Sequence, residues 1–353
     1  LLMKYLGGID AVPLCLGTKD PAQLVQAVRW LEPSFGGVNL EDISQPKCFG
    51  ILDELRRTAE IPVWHDDQQG TATVVLAGLL NALTVVGKSL ADVRITMLGV
   101  GAANVATYRL LVSQGVAPGA IVMCDRRGAL NRQRADIEQR QDEFRDKWRI
   151  CCDSNATGVR GDVADALRGA DVLIAFSSSG PGVIRPEWIK QMNADAIVFA
   201  CANPTPEIWP WEAAEAGAKV VATGRSDFPN QVNNSLAFPG IFRGVLDVRA
   251  RTITDSMALA AARQIAGLAA GRLRPDFILP RMDEWDLHPQ VAAATGVAAQ
   301  TAGVARLEKS FHELVDEAEH MIRRARELQA AVNRQCEAEF GAKPDASRSS
   351  RQA

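Results

Sequence analysis

The feature that most limits what this sequence can fold into is a glycine turn between a strand-like run and a helix-like run. Residues 93–98 are mostly apolar and residues 103–114 have helical spacing; the turn reads Gly99-Val100-Gly101-Ala102-Ala103-Asn104. Small residues let the backbone approach a pyrophosphate, which the N–H groups and the dipole of the helix N-terminus then hold. This order of elements predicts a parallel α/β unit that binds a dinucleotide. The alternative is an ordinary turn between a strand and a helix.

The acid that follows the next predicted strand bears on the choice of cofactor. Residues 121–124 form that strand and Asp125 ends it. A carboxylate at this point accepts hydrogen bonds from the adenosine ribose, which favours NAD, whereas Arg126 and Arg127 offer positive charge to the 2′-phosphate of NADP. The sequence leaves both cofactors open. Asn104 replaces the third glycine of the usual pattern, so we expect the helix to pack less closely on the strand there.

Two acidic pairs each follow a predicted strand. Glu41 and Asp42 come after residues 37–40, and Asp66 and Asp67 come shortly after residues 61–64. The carboxyl ends of parallel strands lie at one edge of a sheet, where α/β proteins place their sites. Four converging carboxylates would repel one another without a divalent cation, and oxygen-only ligands suit Mg²⁺ or Mn²⁺. From spacing alone, a metal site and a set of solvent-exposed helix caps and loop acids are equally favoured.

Two asparagine-rich segments follow strand signals in the second half of the chain. They are Asn203-Pro204-Thr205 and Asn233-Asn234. Asparagine bonds to an amide or a carboxylate without adding charge, so both segments are candidates to line a cleft that faces the nicotinamide. Taken alone, each is more typical of a turn. His65 is a candidate base beside the acids, although a single histidine in this setting is more often structural.

Apolar and helix-like runs alternate through most of the chain, which predicts an α/β fold with mainly parallel strands. Further strands are expected at residues 11–16, 172–176, 197–200 and 219–222, and helices over about residues 20–31, from about residue 46, and over residues 70–86. Beyond about residue 301 we expect one amphipathic helix. Its apolar stripe is Leu307, Phe311, Leu314, Ala318, Met321, Ala325, Leu328 and Val332. The polar end of the chain, from Lys343, is predicted to be disordered.

Bulk composition excludes several classes of protein. The net charge of −3 provides no basic field for a nucleic acid. No apolar stretch is expected to reach membrane-spanning length, since the best candidate, residues 73–86, is too short and contains Asn81 and Thr84. The seven cysteines are scattered without metal-ligand spacing, which is typical of reduced thiols. We therefore expect a cytoplasmic protein with no nucleic-acid or membrane partner.

Together these segments resemble malic enzyme, most closely its compact bacterial type. The resemblance rests on four blocks that occur in family order: Phe35-Gly36-Gly37-Val38-Asn39-Leu40-Glu41-Asp42, residues 62–72, Ala202-Asn203-Pro204-Thr205-Pro206-Glu207, and residues 233–240. Members of this family oxidise malate with NAD or NADP and then decarboxylate the oxaloacetate formed to give pyruvate. The resemblance therefore implies malate and pyruvate as substrate and product, and Mg²⁺ or Mn²⁺ as the metal.

The resemblance also implies a role for each matching residue. Glu41, Asp42 and Asp67 correspond to metal ligands, and Asp66 corresponds to the acid near the catalytic lysine. The positions that bind the dinucleotide are Gly99, Gly101, Ala102, Ala103, Asn104, Asp125 and Asn203. Asn203 and Asn234 correspond to residues that contact substrate. Gln69 stands where relatives more often have histidine, a departure that we expect to be mild.

The implied architecture has two α/β parts. A Rossmann-type, doubly wound parallel sheet domain is expected at residues 89–280, preceded at residues 1–88 by part of the domain that holds metal and substrate. A helical segment at residues 281–342 is expected to pack back on the first domain or on a partner, followed by a disordered tail at residues 343–353. The resemblance further implies a homodimer or a higher homo-oligomer.

The sequence departs from the family at its front. The family's acid–base pair is a tyrosine and a lysine, and Lys4, Tyr5 and Tyr108 do not match their positions. From this and the initial Leu1 we expect a chain that begins after the catalytic lysine. The leading hypothesis is metal-dependent oxidative decarboxylation of L-malate. A second is a nucleotide- and metal-binding fragment, or a degenerate regulatory relative, without turnover. A third, a related amino-acid dehydrogenase, does not account for the paired acids.

Overall fold

Two sheets of different size organise the chain in a computed structural model that describes residues 1–340. The small sheet pairs β1 (Val38–Leu40) with β2 (Val63–His65) in parallel. The strands of the large sheet are β3 (Ile95–Leu98), β4 (Ile121–Asp125), β5 (Gly128–Ala129), β6 (Val172–Ala175), β7 (Ala196–Ala200) and β8 (Ala218–Thr223). Their order is β5-β4-β3-β6-β7-β8, and all neighbours are parallel except β4 and β5.

This order is that of a doubly wound sheet. The chain moves outward from β3 to β4 and β5, and it then crosses back to β6 on the other side of β3. Leu98, the last residue of β3, is paired with Cys124 on one side and with Ala175 on the other. The direction of winding therefore reverses between β3 and β6, and α/β proteins bind ligands at the carboxyl ends of the strands at such a point. The predicted Rossmann-type fold is confirmed.

Helices cover the sheets and fill the space between them. They are α1 (Leu2–Gly7), α2 (Pro21–Leu31), α3 (Lys47–Thr58), α4 (Thr71–Val86), α5 (Ala102–Ser113), α6 (Ala135–Glu138), α7 (Arg145–Asp153), α8 (Val163–Leu167), α9 (Pro186–Ile189), α10 (Pro210–Glu215), α11 (Phe238–Asp247), α12 (Asp255–Ala269), α13 (Leu287–Thr301) and α14 (Phe311–Phe340). Local chemistry accounts for several ends. Asp20 accepts hydrogen bonds from the N–H groups of Ala22 and Gln23 at the start of α2, and Gly87 ends α4 at φ 66°.

Helix α4 lies at the centre of the main core. It is apolar on nearly all sides and packs against α5 and α12, so most of its side chains are buried. Together with the turn before it, the helical stretch Asp66–Val86 has 21 residues and is long and apolar enough to cross a membrane. The expectation that no stretch reaches that length was therefore wrong. Most of the segment, 78% of its most apolar window, is buried inside the protein, as in a core helix.

Two other expectations about elements were wrong. Residues 11–16 form no strand: Val12, Leu14 and Leu16 are exposed, and Pro13 lacks the N–H that a strand ladder needs. The long helix begins at Phe311 rather than near residue 301, because α13 ends at Thr301 and Gly303 turns the chain with φ 68°. Leu307 of the predicted stripe therefore lies in a loop.

Helix α14 packs against α1, α11 and α13. Its buried residues are Leu314, Ala318, Ile322 and Ala325. Met321, Leu328 and Val332 of the predicted stripe are partly or largely exposed instead. The helical end of the chain thus contacts elements from both predicted domains. The division at residues 88 and 280 stays a prediction, and the predicted disordered tail lies outside the described residues.

Candidate active site

The acidic turn after β2 meets the two other candidate segments. Asp66–Gly70 forms a π-helical turn that leads into α4. This turn contacts α5, the helix that follows the glycine turn, and also the short 3-10 turn Asn234–Leu236. The parallel pairing of Leu40 with His65 brings the ends of β1 and β2 side by side, so that Glu41 and Asp66 leave the same edge. The fold therefore brings acids, asparagine and glycine-turn helix together.

Asp66 is the most buried acid of the site, with 5% of its surface exposed. The Nδ2 group of Asn234 donates to its Oδ2 at 3.1 Å, and Trp64 Nε1 donates to its Oδ1 at 3.4 Å. A Cβ on Gly70 would lie 2.0 Å from the same Oδ1, so the carboxylate depends on a glycine there. Burial, and then the negative charge of Glu41, raise the pKa of Asp66 to about 7. Burial thus favours the protonated form of Asp66.

The other three acids lie at the surface of the same edge. Asp42 adopts a left-handed backbone conformation with φ 56°, and its N–H donates to Asp67 Oδ2 at 2.9 Å. Glu41 accepts a hydrogen bond from Asn39 Nδ2 at 2.8 Å. Burial and then the charge of Asp67 raise the pKa of Glu41. The acids therefore interact electrostatically. Within residues 1–340, however, no three His, Cys, Asp or Glu side chains are arranged to hold a metal ion.

His65 is fully buried behind these acids. Its Nδ1 lies 3.7 Å from Asp67 Oδ2. Burial is the main reason that its pKa is lowered, which favours the neutral form of the ring. Its backbone N–H donates to Gln69 Oε1 at 3.2 Å. These contacts favour a structural role for His65 over that of a base.

The glycine turn is held tightly between β3 and its neighbours. Gly99 has φ 101°, and a Cβ there would lie 2.2 Å from the carbonyl oxygen of Phe176 at the end of β6. Its N–H donates to Cys124 O at 2.9 Å. A Cβ on Gly101 would meet nothing within 4 Å, and α5 begins without a side-chain cap. The helix N-terminus at Ala102 and Ala103 is therefore open to a ligand phosphate.

Asn104, which replaces the third glycine, strengthens this turn. Its side chain is fully buried, and Nδ2 donates to Leu98 O at 2.8 Å and to Gly99 O at 3.0 Å. The amide thus ties the first turn of α5 to the end of β3, and the expectation of looser packing between helix and strand stays a prediction. The Nδ2 group of Asn104 is thus used inside the protein.

A residue to which the sequence analysis gave no role, Glu207, joins two loops at the same edge. Its carboxylate is fully buried. Oε1 accepts from the N–H and the hydroxyl of Ser177 at 2.8 and 3.0 Å, and Oε2 accepts from the N–H of Ala202 at 3.0 Å. Ser177 follows β6 and Ala202 follows β7. In the sequence, Glu207 stands out only as the last residue of the block Ala202-Asn203-Pro204-Thr205-Pro206-Glu207. That block does not indicate which backbone groups its carboxylate binds.

Residues 68–302 of the chain match the family model described as "Malic enzyme, NAD binding domain", which is well over half of its length. The chain belongs to the malic enzyme family. The NAD-dependent malic enzyme of Geobacillus stearothermophilus is 45% identical over 307 residues, which are 87% of this chain and 62% of that protein. The NADP-dependent malic enzyme of Halomonas elongata is 41% identical over 88% of this chain and 75% of its own length.

A solved malic enzyme structure supports the same assignment. The crystal structure of the Entamoeba histolytica malic enzyme is 50% identical to this chain and superposes with a TM-score of 0.91. The match covers 97% of this chain and 71% of that one. The resemblance inferred from the sequence is therefore confirmed, and so is the presence of an NAD-binding domain.

The predicted site residues of this malic enzyme relative fall into two groups. Glu41, Asp66, Asp67 and Asn234 share one edge, linked by hydrogen bonds or by mutual effects on pKa. Asn203 lies in the loop after β7, follows Ala202 and is joined to Pro204 by a cis peptide bond; its exposed side chain lies against Gly224. The roles of these residues in binding stay predictions.

Proposed function

We propose that this chain carries out oxidative decarboxylation of L-malate to pyruvate and CO₂, with reduction of NAD⁺ or NADP⁺ and dependence on a divalent metal. The observation that carries the proposal is the hydrogen bond from Asn234 to Asp66. It joins the acidic turn to a segment that follows the last strand of the dinucleotide-binding sheet. The same acidic turn contacts α5, the helix that follows the glycine turn, which supports a shared site for a small acid and a nicotinamide at this edge.

Each residue of the cleft has a proposed part in this reaction. Asn203 and Asn234 orient the substrate carboxylate and the nicotinamide through their amide groups. Asp66, whose pKa is raised to about 7, holds a proton next to the substrate and supports the acid–base groups. Gly99 and Gly101 let the backbone approach the pyrophosphate, which the start of α5 holds.

Glu41, Asp42 and Asp67 are the residues that we propose to hold the metal. Burial and the charges of Asp67 and Asp42 raise the pKa of Glu41, although within residues 1–340 the three side chains are not arranged around one point. A divalent cation would relieve that repulsion, and carboxylate oxygens suit Mg²⁺ or Mn²⁺. When bound, the ion supplies positive charge that polarises a carbonyl oxygen and stabilises an enolate.

The proposal extends to the setting of the reaction. All seven cysteines are free, which agrees with a cytoplasmic location. We propose a small-molecule substrate, no nucleic-acid or membrane partner, and a homodimer or higher homo-oligomer. The division into a metal and substrate part at residues 1–88 and a dinucleotide domain at residues 89–280 belongs to the same proposal.

The test combines turnover with metal binding. Reduction of NAD⁺ and NADP⁺ by L-malate is measured with Mn²⁺ and with chelator, and free Mn²⁺ is followed by its electron paramagnetic resonance signal. Asp67→Ala is expected to abolish both turnover and tight Mn²⁺ binding. Glu54→Ala, which removes an exposed acid of α3, should change neither. Metal-dependent turnover that survives in Asp67→Ala would contradict the ligand assignment. Dinucleotide binding with no Mn²⁺ binding and no turnover would favour a nucleotide-binding regulatory role.

A further inference from the structure

Asp125, the acid expected to bind the ribose of a dinucleotide, already accepts hydrogen bonds from other groups of the protein. Asp125 ends β4 beside the glycine turn, since Gly99 N–H donates to the carbonyl of Cys124. Asp125 Oδ1 accepts from the N–H of Arg127 at 2.8 Å and from Arg134 Nη1 at 3.1 Å. Oδ2 accepts from Arg134 Nη2 at 2.9 Å and from Lys147 Nζ at 2.5 Å. The four acceptor positions of this carboxylate are therefore filled.

The surroundings of Asp125 are cationic. Arg134 binds it as a two-pronged fork and is fixed in turn by Asp136, which accepts from Arg134 Nε at 2.8 Å. Only 12% of each of the Asp125 and Arg134 side chains is exposed, so this network is part of the domain wall. The residues of this ribose-edge cluster are Asp125, Arg126, Arg127, Arg134, Asp136 and Lys147. Its four cations outnumber its two anions.

A free acid at this point of the fold selects NAD in two ways: it accepts the ribose hydroxyls, and it repels a 2′-phosphate. Neither applies here, because two cations neutralise Asp125 and occupy its oxygens. Arg126 follows it directly and is exposed. Guanidinium groups bind phosphate oxygens with charge-assisted hydrogen bonds. We infer that the ribose-edge cluster binds the 2′-phosphate of the cofactor, so that this chain prefers NADP⁺ to NAD⁺.

The inference rests on the proposed function only in that a dinucleotide binds at the glycine turn. Its test uses the fragments that isolate the 2′-phosphate, 2′,5′-ADP and 5′-AMP, titrated calorimetrically at fixed ionic strength. We expect 2′,5′-ADP to bind at least about tenfold more tightly than 5′-AMP. NADP⁺ and NAD⁺ should differ in the same direction, both in dissociation constant and in kcat/KM with malate.

Two variants locate the effect. Arg126→Ala and Lys147→Met should each weaken 2′,5′-ADP by about tenfold and leave 5′-AMP within about twofold. Arg126 is exposed, so its replacement does not disturb the core. The control is Arg263→Ala, which removes an equal charge from the exposed face of α12, where this arginine bonds Gln114. It should leave the ratio of the two affinities unchanged.

The outcomes separate this inference from the proposed function. Equal affinities for 2′,5′-ADP and 5′-AMP, or tighter NAD⁺ than NADP⁺ binding, would overturn the inference and leave the dinucleotide site intact. Equal weakening of both fragments by Arg126→Ala would overturn it as well, since the arginine would then act on the common adenosine 5′-phosphate. If none of the four ligands binds, the proposed function itself fails.

Discussion

At the scale of single residues, the acidic turn shows how side chains separated in sequence create one environment. Asn234 donates to Asp66 and accepts from the hydroxyl of Thr71 at 3.1 Å, so its amide is fixed in one orientation. Gly70 leaves the room that the Asp66 carboxylate occupies. These contacts desolvate an acid without giving it a cation, which is why its pKa rises to about 7.

A buried histidine far along the chain predicts how stability depends on pH. His288 at the start of α13 is 1% exposed, its Nε2 lies 3.2 Å from Met282 O, and its Nδ1 has no partner. Burial lowers its pKa to about 4. Below about pH 6.5 the unfolded chain takes up a proton that the folded chain refuses until about pH 4. Stability is therefore lost as pH falls through this window, by on the order of 3 kcal/mol.

The measurement is the free energy of unfolding in urea at several pH values from 7.5 to 4, for the parent and for His288→Gln. Comparing the two removes other titrations, including that of Asp66, whose raised pKa acts in the opposite direction. As pH falls from 7.5 to 4, the free energy of unfolding of the parent should decrease by about 3 kcal/mol more than that of His288→Gln. His312→Gln replaces an exposed histidine as the control. A constant difference across the pH range would contradict the prediction, because it would show that His288 takes up its proton at the same pH in the folded and unfolded states.

The sequence was more informative about which residues are candidates for the site than about which groups those residues contact. Acids that follow strands and glycines in a turn have local signals, so the candidate positions were found. The partners of Asp125 were not, because Arg134, just before α6, and Lys147, on α7, lie 9 and 22 residues further on and reach it only in the folded chain. A carboxylate read as a free ribose acceptor proved to be filled by ion pairs, which only tertiary structure reveals.

At the scale of elements, the Glu207 carboxylate links the loop after β6 to the loop after β7 by hydrogen bonds. The loop after β6 and the loop after β7 share its carboxylate, and they are also joined where Gly180 N–H donates to Thr205 O at 3.2 Å. Glu207→Gln has nearly the same shape, but its NH₂ group would face an N–H donor, either that of Ser177 or that of Ala202. One hydrogen bond to a charged group is lost, which costs about 1.5–3 kcal/mol locally.

We therefore expect Glu207→Gln to raise the KM for the dinucleotide and for malate more than it lowers kcat, because both loops line the cleft. The matched control is Glu215→Gln, an exposed acid of α10. Steady-state kinetics with each substrate varied in turn provide the measurement. A fall in kcat with both KM values unchanged would indicate that Glu207 acts in the chemical step rather than in positioning the loops.

The ends of helices and strands show where sequence patterns fail to predict secondary structure. Asp20-Pro21 placed the start of α2 correctly because the cap is local chemistry. The start of α14 was placed about ten residues too early, since apolar spacing continues through residues 302–310 although the chain turns at Gly303. The apolar residues at 12, 14 and 16 alternate as in a strand, yet they join neither sheet of the described residues and remain exposed.

At the scale of the whole molecule, the first and last helices hold each other. Gly8 follows α1 in a left-handed conformation, and a Cβ there would lie 2.9 Å from the backbone of Met321 in α14. Arg326 of α14 donates to Tyr5 O at 2.9 Å and lies over the Tyr5 ring at 4.5 Å. The same guanidinium lies 4.9 Å from the ring centre of Trp285, just before α13. The Arg326 side chain thus connects α14 with the segment before α13 and with α1, which lies 321 residues earlier in the sequence.

Removing that side chain tests whether α14 is an integral part of the fold. Arg326→Ala deletes one hydrogen bond and two cation–π contacts, so the free energy of unfolding should fall by about 1–2 kcal/mol. Arg324→Ala removes the same charge from an exposed position two residues away on the same helix, and should cost less than about 0.5 kcal/mol. Urea unfolding followed by circular dichroism compares the two. A single shifted transition for Arg326→Ala would mean that α1 and α14 unfold together with the sheet. A separate early transition would mean that the terminal helices form their own cooperative unit, and equal stability of the two variants would show that the Arg326 contacts contribute nothing.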